Sequence, residues 1–164
     1  MSGYTPLPGG VIHEADYWVV EHCVGPLGVG TLLVKPKRHV TRVSDLLDDE
    51  AAEVGSLLHR SAAVIDELLA PDQVYVCLWS HAGGVPGHVH YVVQPVTAEL
   101  MNEYEAYGPR LQVAMFEAAE ALPEDEVVAF ADRARVASRP RAACRARRGR
   151  ARVAGARVRR RVDA

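Results

Sequence analysis

The sequence predicts an α+β domain, an antiparallel sheet of about five strands with one long helix packed on it and further helices toward the C-terminus. Three observations predict it. Short runs rich in β-branched and aromatic residues flank a single long stretch whose apolar residues recur at spacings of three and four. Two of these runs follow one another with only a glycine-rich connection between them, as antiparallel neighbours do. At 164 residues, 49% hydrophobic and 24% charged, the chain is also long enough to bury a core without disulfides or structural metal.

The elements follow in order. Residues 1–10, with two prolines and three glycines, read as a flexible lead-in. Val11-Ile12-His13 and Tyr17 to Val20 form two strands around the turn Glu14-Ala15-Asp16. Cys23 to Gly30 is a glycine-rich loop, and Thr31 to Val34 a buried strand stopped by Pro36, which cannot donate to a ladder. Ser44-Asp45 with Asp48, Asp49 and Glu50 supply capping oxygens and negative charge at a helix start. That helix carries Val54, Leu57, Leu58, Ala62, Ile65, Leu68 and Leu69 on one side and ends near Ala70-Pro71. Strands over Gln73–Trp79 and His88–Gln94 enclose a bend from His81 to Gly87. Residues 97–137 are helical, broken at Gly108-Pro109 and Leu122-Pro123.

The formal charge of −2 is the sum of two unlike parts. Residues 1–138 hold 8 Lys and Arg against 20 Asp and Glu, whereas 139–164 hold 11 Arg against the single Asp163. The body expected to fold is therefore 11–137. The tail over 138–164 lacks the large apolar residues that offset ordering entropy and is expected to be disordered. Its arginines could neutralise nucleic-acid phosphates, but no aromatic residues interleave for stacking, so the solvated reading is preferred. No apolar run is long enough to span a bilayer, and the start MSGYTPLPGG has neither the basic nor the apolar part of a secretory signal, so a cytoplasmic protein without membrane partners is expected. Cys23, Cys77 and Cys144 show no CxxC spacing and read as free thiols.

The chemistry centres on Gly87-His88-Val89-His90-Tyr91-Val92-Val93-Gln94-Pro95. Strand side chains two apart share a face, so His88, His90, Val92 and Gln94 form one column. A bare HxH is equally a surface pair or a metal pair. Its context resembles the histidine triad (HIT) superfamily, whose signature alternates three histidines with apolar residues after a glycine-containing bend. Val34-Lys35-Pro36-Lys37-Arg38-His39 resembles the family's strand ending in Pro-Lys-x-His. Val43-Ser44-Asp45-Leu46 resembles the segment that follows there, and Ala82-Gly83 the approach to the triad. Together the match runs in order over about 11–96.

The resemblance implies a homodimer and a nucleotidyl hydrolase or transferase acting on a nucleotide or nucleotide conjugate. In that reading His90 is the nucleophile and His88 the first histidine. An orienting bond to His90 is expected from His88, His39 or a backbone carbonyl. The chain departs from the pattern at Val92, which stands where the third histidine belongs, and at Gly84 and Val85, where the family presents Gln and Ser/Thr to phosphate. Gln94 could substitute for the lost imidazole, as glutamine does in the superfamily's uridylyltransferase branch; Ser80, His81, Gly83, Gly84 and His39 are the other candidates to line the substrate. Alternatives remain open: a register with Pro86 first and His88 as nucleophile, a nucleotide-binding module without turnover, and metal binding through His88, His90 and His39 or His81. No cofactor is required, although a divalent metal could accompany the substrate. His22 and Cys23 stand where the family touches ribose. Lys35, Lys37 and Arg38 read as a solvated rim, His13 and His59 as surface residues, and Tyr17 and Trp18 as packing residues.

Overall fold

The computed structural model describes residues 7–82 and 85–139. The lead-in is thus seen only over 7–10, where Gly10 N–H closes a turn on the Leu7 carbonyl, and the tail only at Ser138 and Arg139. Gly83 and Gly84 lie outside the described residues.

Five strands, β1 (Val11–Glu14), β2 (Trp18–His22), β3 (Leu32–Pro36), β4 (Gln73–Ala82) and β5 (Val85–Val96), form one antiparallel sheet in the order β1-β2-β3-β5-β4. Helix α1 (Asp48–Leu69) connects β3 to β4, and α2 (Ala98–Glu103), α3 (Pro109–Ala118) and α4 (Glu124–Ala137) follow the sheet. The predicted breaks at Gly108-Pro109 and Leu122-Pro123 separate α2, α3 and α4.

Strand alternation sends side chains to two unlike faces. Trp18, Val20, Leu32, Val34 and Val93 meet Leu57, Val64 and Ile65 of α1 and Phe130, Ala131 and Ala134 of α4 in the larger core. Burying each large aliphatic side chain there is worth about 1.5–3 kcal/mol. The opposite face is covered along part of its width by α3: Cys23, Leu27, Val92 and Val96 form a second apolar cluster with Leu111 and Met115. Trp18, fully buried, stacks obliquely on Tyr91 and donates its indole N–H to the Glu50 carbonyl at 2.8 Å.

Two local expectations need correction. Ser44 and Asp45 do not cap α1; they lie in a 3₁₀ turn, and α1 starts three residues later, where the Glu50 carboxylate accepts the Leu47 N–H at 2.8 Å. The bend expected over 81–87 is largely strand, because β4 and β5 run on to Ala82 and back from Val85 with His81 paired to Pro86.

Glu50 also receives Arg38 through both carboxylate oxygens, at 3.0 and 2.7 Å, tying the β3 exit to α1. The hydrogen bonds from Arg38, then that from Leu47, hold the carboxyl below its ordinary pKa. A depressed folded-state pKa contributes stability above the unfolded value and loses it as pH falls through the folded one. The melting temperature is therefore expected to fall below about pH 4, and Glu50→Gln to lower it at pH 7 while flattening that acid limb. Thermal melts from pH 7 to 3 check this; identical acid limbs in the two proteins would contradict it.

Candidate functional site

The histidines owe their positions to a bulge in β5. Trp79 pairs with His90 and His81 with Pro86, so Gly87, His88 and Val89 stand opposite Ser80 alone. There His88 and Val89 bind the segment leaving β3 instead. Val89 N–H donates to the Val40 carbonyl at 2.7 Å. Val40 N–H donates to His88 Nδ1 at 3.2 Å, and His88 Nε2 donates to the Pro36 carbonyl at 2.9 Å.

These partners fix both tautomers. His88 Nδ1 accepts from an N–H and therefore carries no proton; Nε2 carries it. Burial is the main cause holding the His88 pKa below its ordinary value. The nearby charges of His39, Lys35 and His90 add to this, and the bond to Pro36 opposes it. His90 Nδ1 lies 2.9 Å from the His88 carbonyl, which can only accept, so Nδ1 carries a proton and, in the neutral ring, the lone pair sits on Nε2. The orienting group expected for His90 is thus the His88 backbone carbonyl. Both ring nitrogens of His88 are engaged by backbone, whereas His90 keeps Nε2 for chemistry.

The other sequence candidates fall into two groups. His39 is exposed and stacks on His88, ring centroids 5.2 Å apart and 13° from parallel, so it borders the site through His88. Ser80, half-buried, and His81, exposed, follow Trp79 on the strand beside His90. Gln94, by contrast, is fully buried beneath α3. Its amide nitrogen donates to the Leu27 carbonyl and lies 3.1 Å from Met115 Sδ, and its oxygen accepts from Gln112 at 3.0 Å. Gln112 in turn accepts from the Trp79 indole at 3.0 Å. Gln94 therefore joins a chain of amides that seats α3 on the sheet and presents no group to the surface beside His90. Val92 lies in the apolar cluster beneath the same helix.

The basic residues separate too. Lys37 pairs with Glu14 at 2.7 Å and Arg38 with Glu50. Lys35 lies on the histidine face, its ammonium 2.5 Å from Oε2 of Glu21. Glu21 is fully buried, and neither of its carboxylate oxygens accepts a well-aligned hydrogen bond. Sequence reasoning passed over this pair, although alternation already set Lys35 on the face opposite Val34. His22 belongs to the larger core, where its edge meets Phe130. Its Nε2 accepts the Gly30 N–H at 2.8 Å and its Nδ1 bonds to the Cys23 carbonyl, closing the glycine-rich loop. Gly30 sits at φ 95° with room for no side chain, since a Cβ would come within 2.4 Å of Leu69. Among the described residues no group of three His, Cys, Asp or Glu could hold a metal ion, and no helix is long and apolar enough to cross a membrane.

No protein-family model and no curated protein matches the chain. Solved structures do. A HIT-like protein of Bartonella henselae involved in cell-cycle regulation is 17% identical, the match covering 77% of this chain and 85% of that one at a TM-score of 0.60. A histidine triad nucleotide-binding protein of Sulfolobus tokodaii is 16% identical over 78% and 82% of the two chains, with a TM-score of 0.58. A zinc-bound histidine triad family protein of Mycobacterium smegmatis is 19% identical over 78% and 82%, with a TM-score of 0.55. With its five-stranded antiparallel sheet, its long helix between the third and fourth strands and these structural neighbours, the chain has the HIT-like fold.

Proposed function

We propose that the protein is a nucleotidyl hydrolase or transferase that cleaves a phosphoanhydride or phosphoramidate bond at a nucleoside α-phosphate, with His90 as nucleophile. The observation that carries this reading is the His90 ring, held through Nδ1 by the His88 carbonyl with its Nε2 lone pair free. Neutral imidazole so oriented is a competent nucleophile near pH 7. Nε2 attacks the α-phosphorus, a P–N bond forms, and the leaving group departs with the electron pair of the broken bond. Water or another acceptor then attacks phosphorus, and the P–N electron pair returns to Nε2. The developing imidazolium is stabilised by its Nδ1–H bond to the His88 carbonyl, and His88 holds the backbone supplying that carbonyl against β3. His39, Ser80, His81, Gly83 and Gly84 remain the proposed lining of the substrate site.

One observation favours a second reading, a nucleotide-binding module without turnover: the third position of the triad is Val92, sunk in an apolar cluster. Rapid mixing with a dinucleoside polyphosphate or nucleoside phosphoramidate labelled at the α-phosphate separates the two. Turnover through an acid-labile label on His90 is expected. Bound nucleotide without label or product would leave only the binding module, and no binding at all would overturn both.

A homodimer belongs to the same proposal. It is supported by the edge strand β4, whose Val76 and Leu78 remain 44% and 43% exposed. Light scattering is expected to return twice the chain mass, and a monomer at micromolar concentration would refute it.

A further inference from the structure

We propose that Trp79 and Phe116 form an aromatic subsite beside His90 that receives a flat ring of the substrate, carried by the nucleoside or by the leaving group; the proposal deepens, and rests on, the nucleotidyl chemistry argued above. Trp79 pairs directly with His90 across β4 and β5. Side chains so paired share a face, with Cβ atoms about 5 Å apart. The Phe116 ring lies against the Trp79 indole, centroids 5.4 Å apart and planes tilted by 51°. A ring joined to the phosphorus at His90 through a ribose or a short linker therefore reaches this pair.

Three features make the pair more than helix packing. First, α3 fills the face above Val92 and Gln94, so a substrate whose phosphorus sits at His90 has no room to extend along β5. It must run across the strands, and on the β4 side the first residue it meets is Trp79. Second, the indole is held before substrate arrives. Its N–H donates to Gln112 at 3.0 Å, and the buried Gln112 donates in turn to Gln94 at 3.0 Å. Third, Phe116 follows the buried Met115 yet is 42% exposed. Gly25 of the glycine-rich loop passes beside its ring, where a Cβ would stand 3.8 Å from the phenyl edge, so the loop meets the phenyl with no side chain of its own at that point.

A fixed aromatic surface attracts flat π systems by apolar burial and by offset or edge-on contact. Every base offers a π face, so such a surface distinguishes a ring from no ring and not one base from another. The ligand class is accordingly a nucleotide or nucleotide conjugate with an aromatic ring one ribose or one short linker away from the α-phosphate.

The test is calorimetry on His90→Ala protein, which consumes no ligand, carrying Phe116, Phe116→Leu or Phe116→Trp. Two pairs of probes are compared. AMP or UMP against ribose phosphate isolates the base; the benzylamine against the methylamine phosphoramidate of AMP isolates the leaving group. With Phe116 in place, the ring-bearing member of at least one pair is expected to bind about tenfold more tightly, and that pair identifies which ring is held. Phe116→Leu, which keeps apolar bulk without a π face, is expected to lose most of the preference, and Phe116→Trp to keep it. Tryptophan emission gives an independent readout. The chain has two tryptophans and Trp18 is fully buried in the α1 core, so quenching by the ring-bearing probe and not by its counterpart reports contact at Trp79. A preference undiminished in folded Phe116→Leu overturns the subsite. If Phe116→Leu fails to fold, unquenched emission at saturation with the ring-bearing probe is equally fatal. No ring preference in either pair, with wild type still labelled on His90, overturns the subsite alone. No binding and no label overturn the function on which it rests as well.

Discussion

His90→Ala is expected to eliminate the acid-labile adduct and to lower turnover by at least about 10³-fold, because it removes the atom that bonds to phosphorus. Stability should change little, since the ring is half-buried and its one hydrogen bond is to a carbonyl two residues away. His88→Ala supplies the contrast. It deletes no nucleophile but removes the clasp joining Val40 N–H to the Pro36 carbonyl, so its effect should fall on both the melting temperature and the rate, with the adduct still formed on His90. Single-turnover labelling of the two variants decides the matter. Full turnover by His90→Ala would end the mechanism, and a label that moved with His88 would reinstate the shifted register.

Val92→His, which writes the third histidine back into the sequence, is expected to damage the protein instead of improving it. Val92 is 2% exposed and shares a cluster with Cys23, Leu27, Leu111 and Met115. An imidazole there is larger than the valine and enters a closely packed apolar cluster. Overpacking and an unsatisfied polar group together cost about 2–4 kcal/mol, or about 5–15 °C in melting temperature for a chain of this size. Turnover should not rise, since the position faces α3 and not a phosphate. Thermal melts and initial rates test this. A variant with wild-type stability and a raised rate would mean that α3 moves off the face.

Strand alternation and helical spacing carried most of the fold into view. The column His88, His90, Val92 and Gln94 follows from a period of two, and α1 from the run Val54 to Leu69, because both are properties of local sequence. What covers a face is not local. Gln94 and Val92 share their face with His90, yet α3 buries the first two and leaves the third accessible, a distinction set by Leu111, Gln112 and Met115 some twenty residues later. Lys35 was similarly ambiguous. Its face was legible, but its partner Glu21 stands on a neighbouring strand fourteen positions earlier, and only register brings them together. The start of α1 was misplaced because four candidate caps, Ser44, Asp45, Asp48 and Asp49, crowd residues 44–49, and the deciding group is the Glu50 carboxylate, which also answers Arg38.

The bulge in β5 has an arithmetic consequence for how this strand can change length. Between the pairs Trp79 with His90 and His81 with Pro86, β4 advances two residues and β5 four. The excess is even, so the residues on either side of the bulge keep their assignment to the two faces. Loss of one residue among Gly87, His88 and Val89 would turn the hairpin end inside out relative to histidines anchored on β3, whereas gain or loss of two would preserve every face. Insertions and deletions tolerated here should therefore come in pairs.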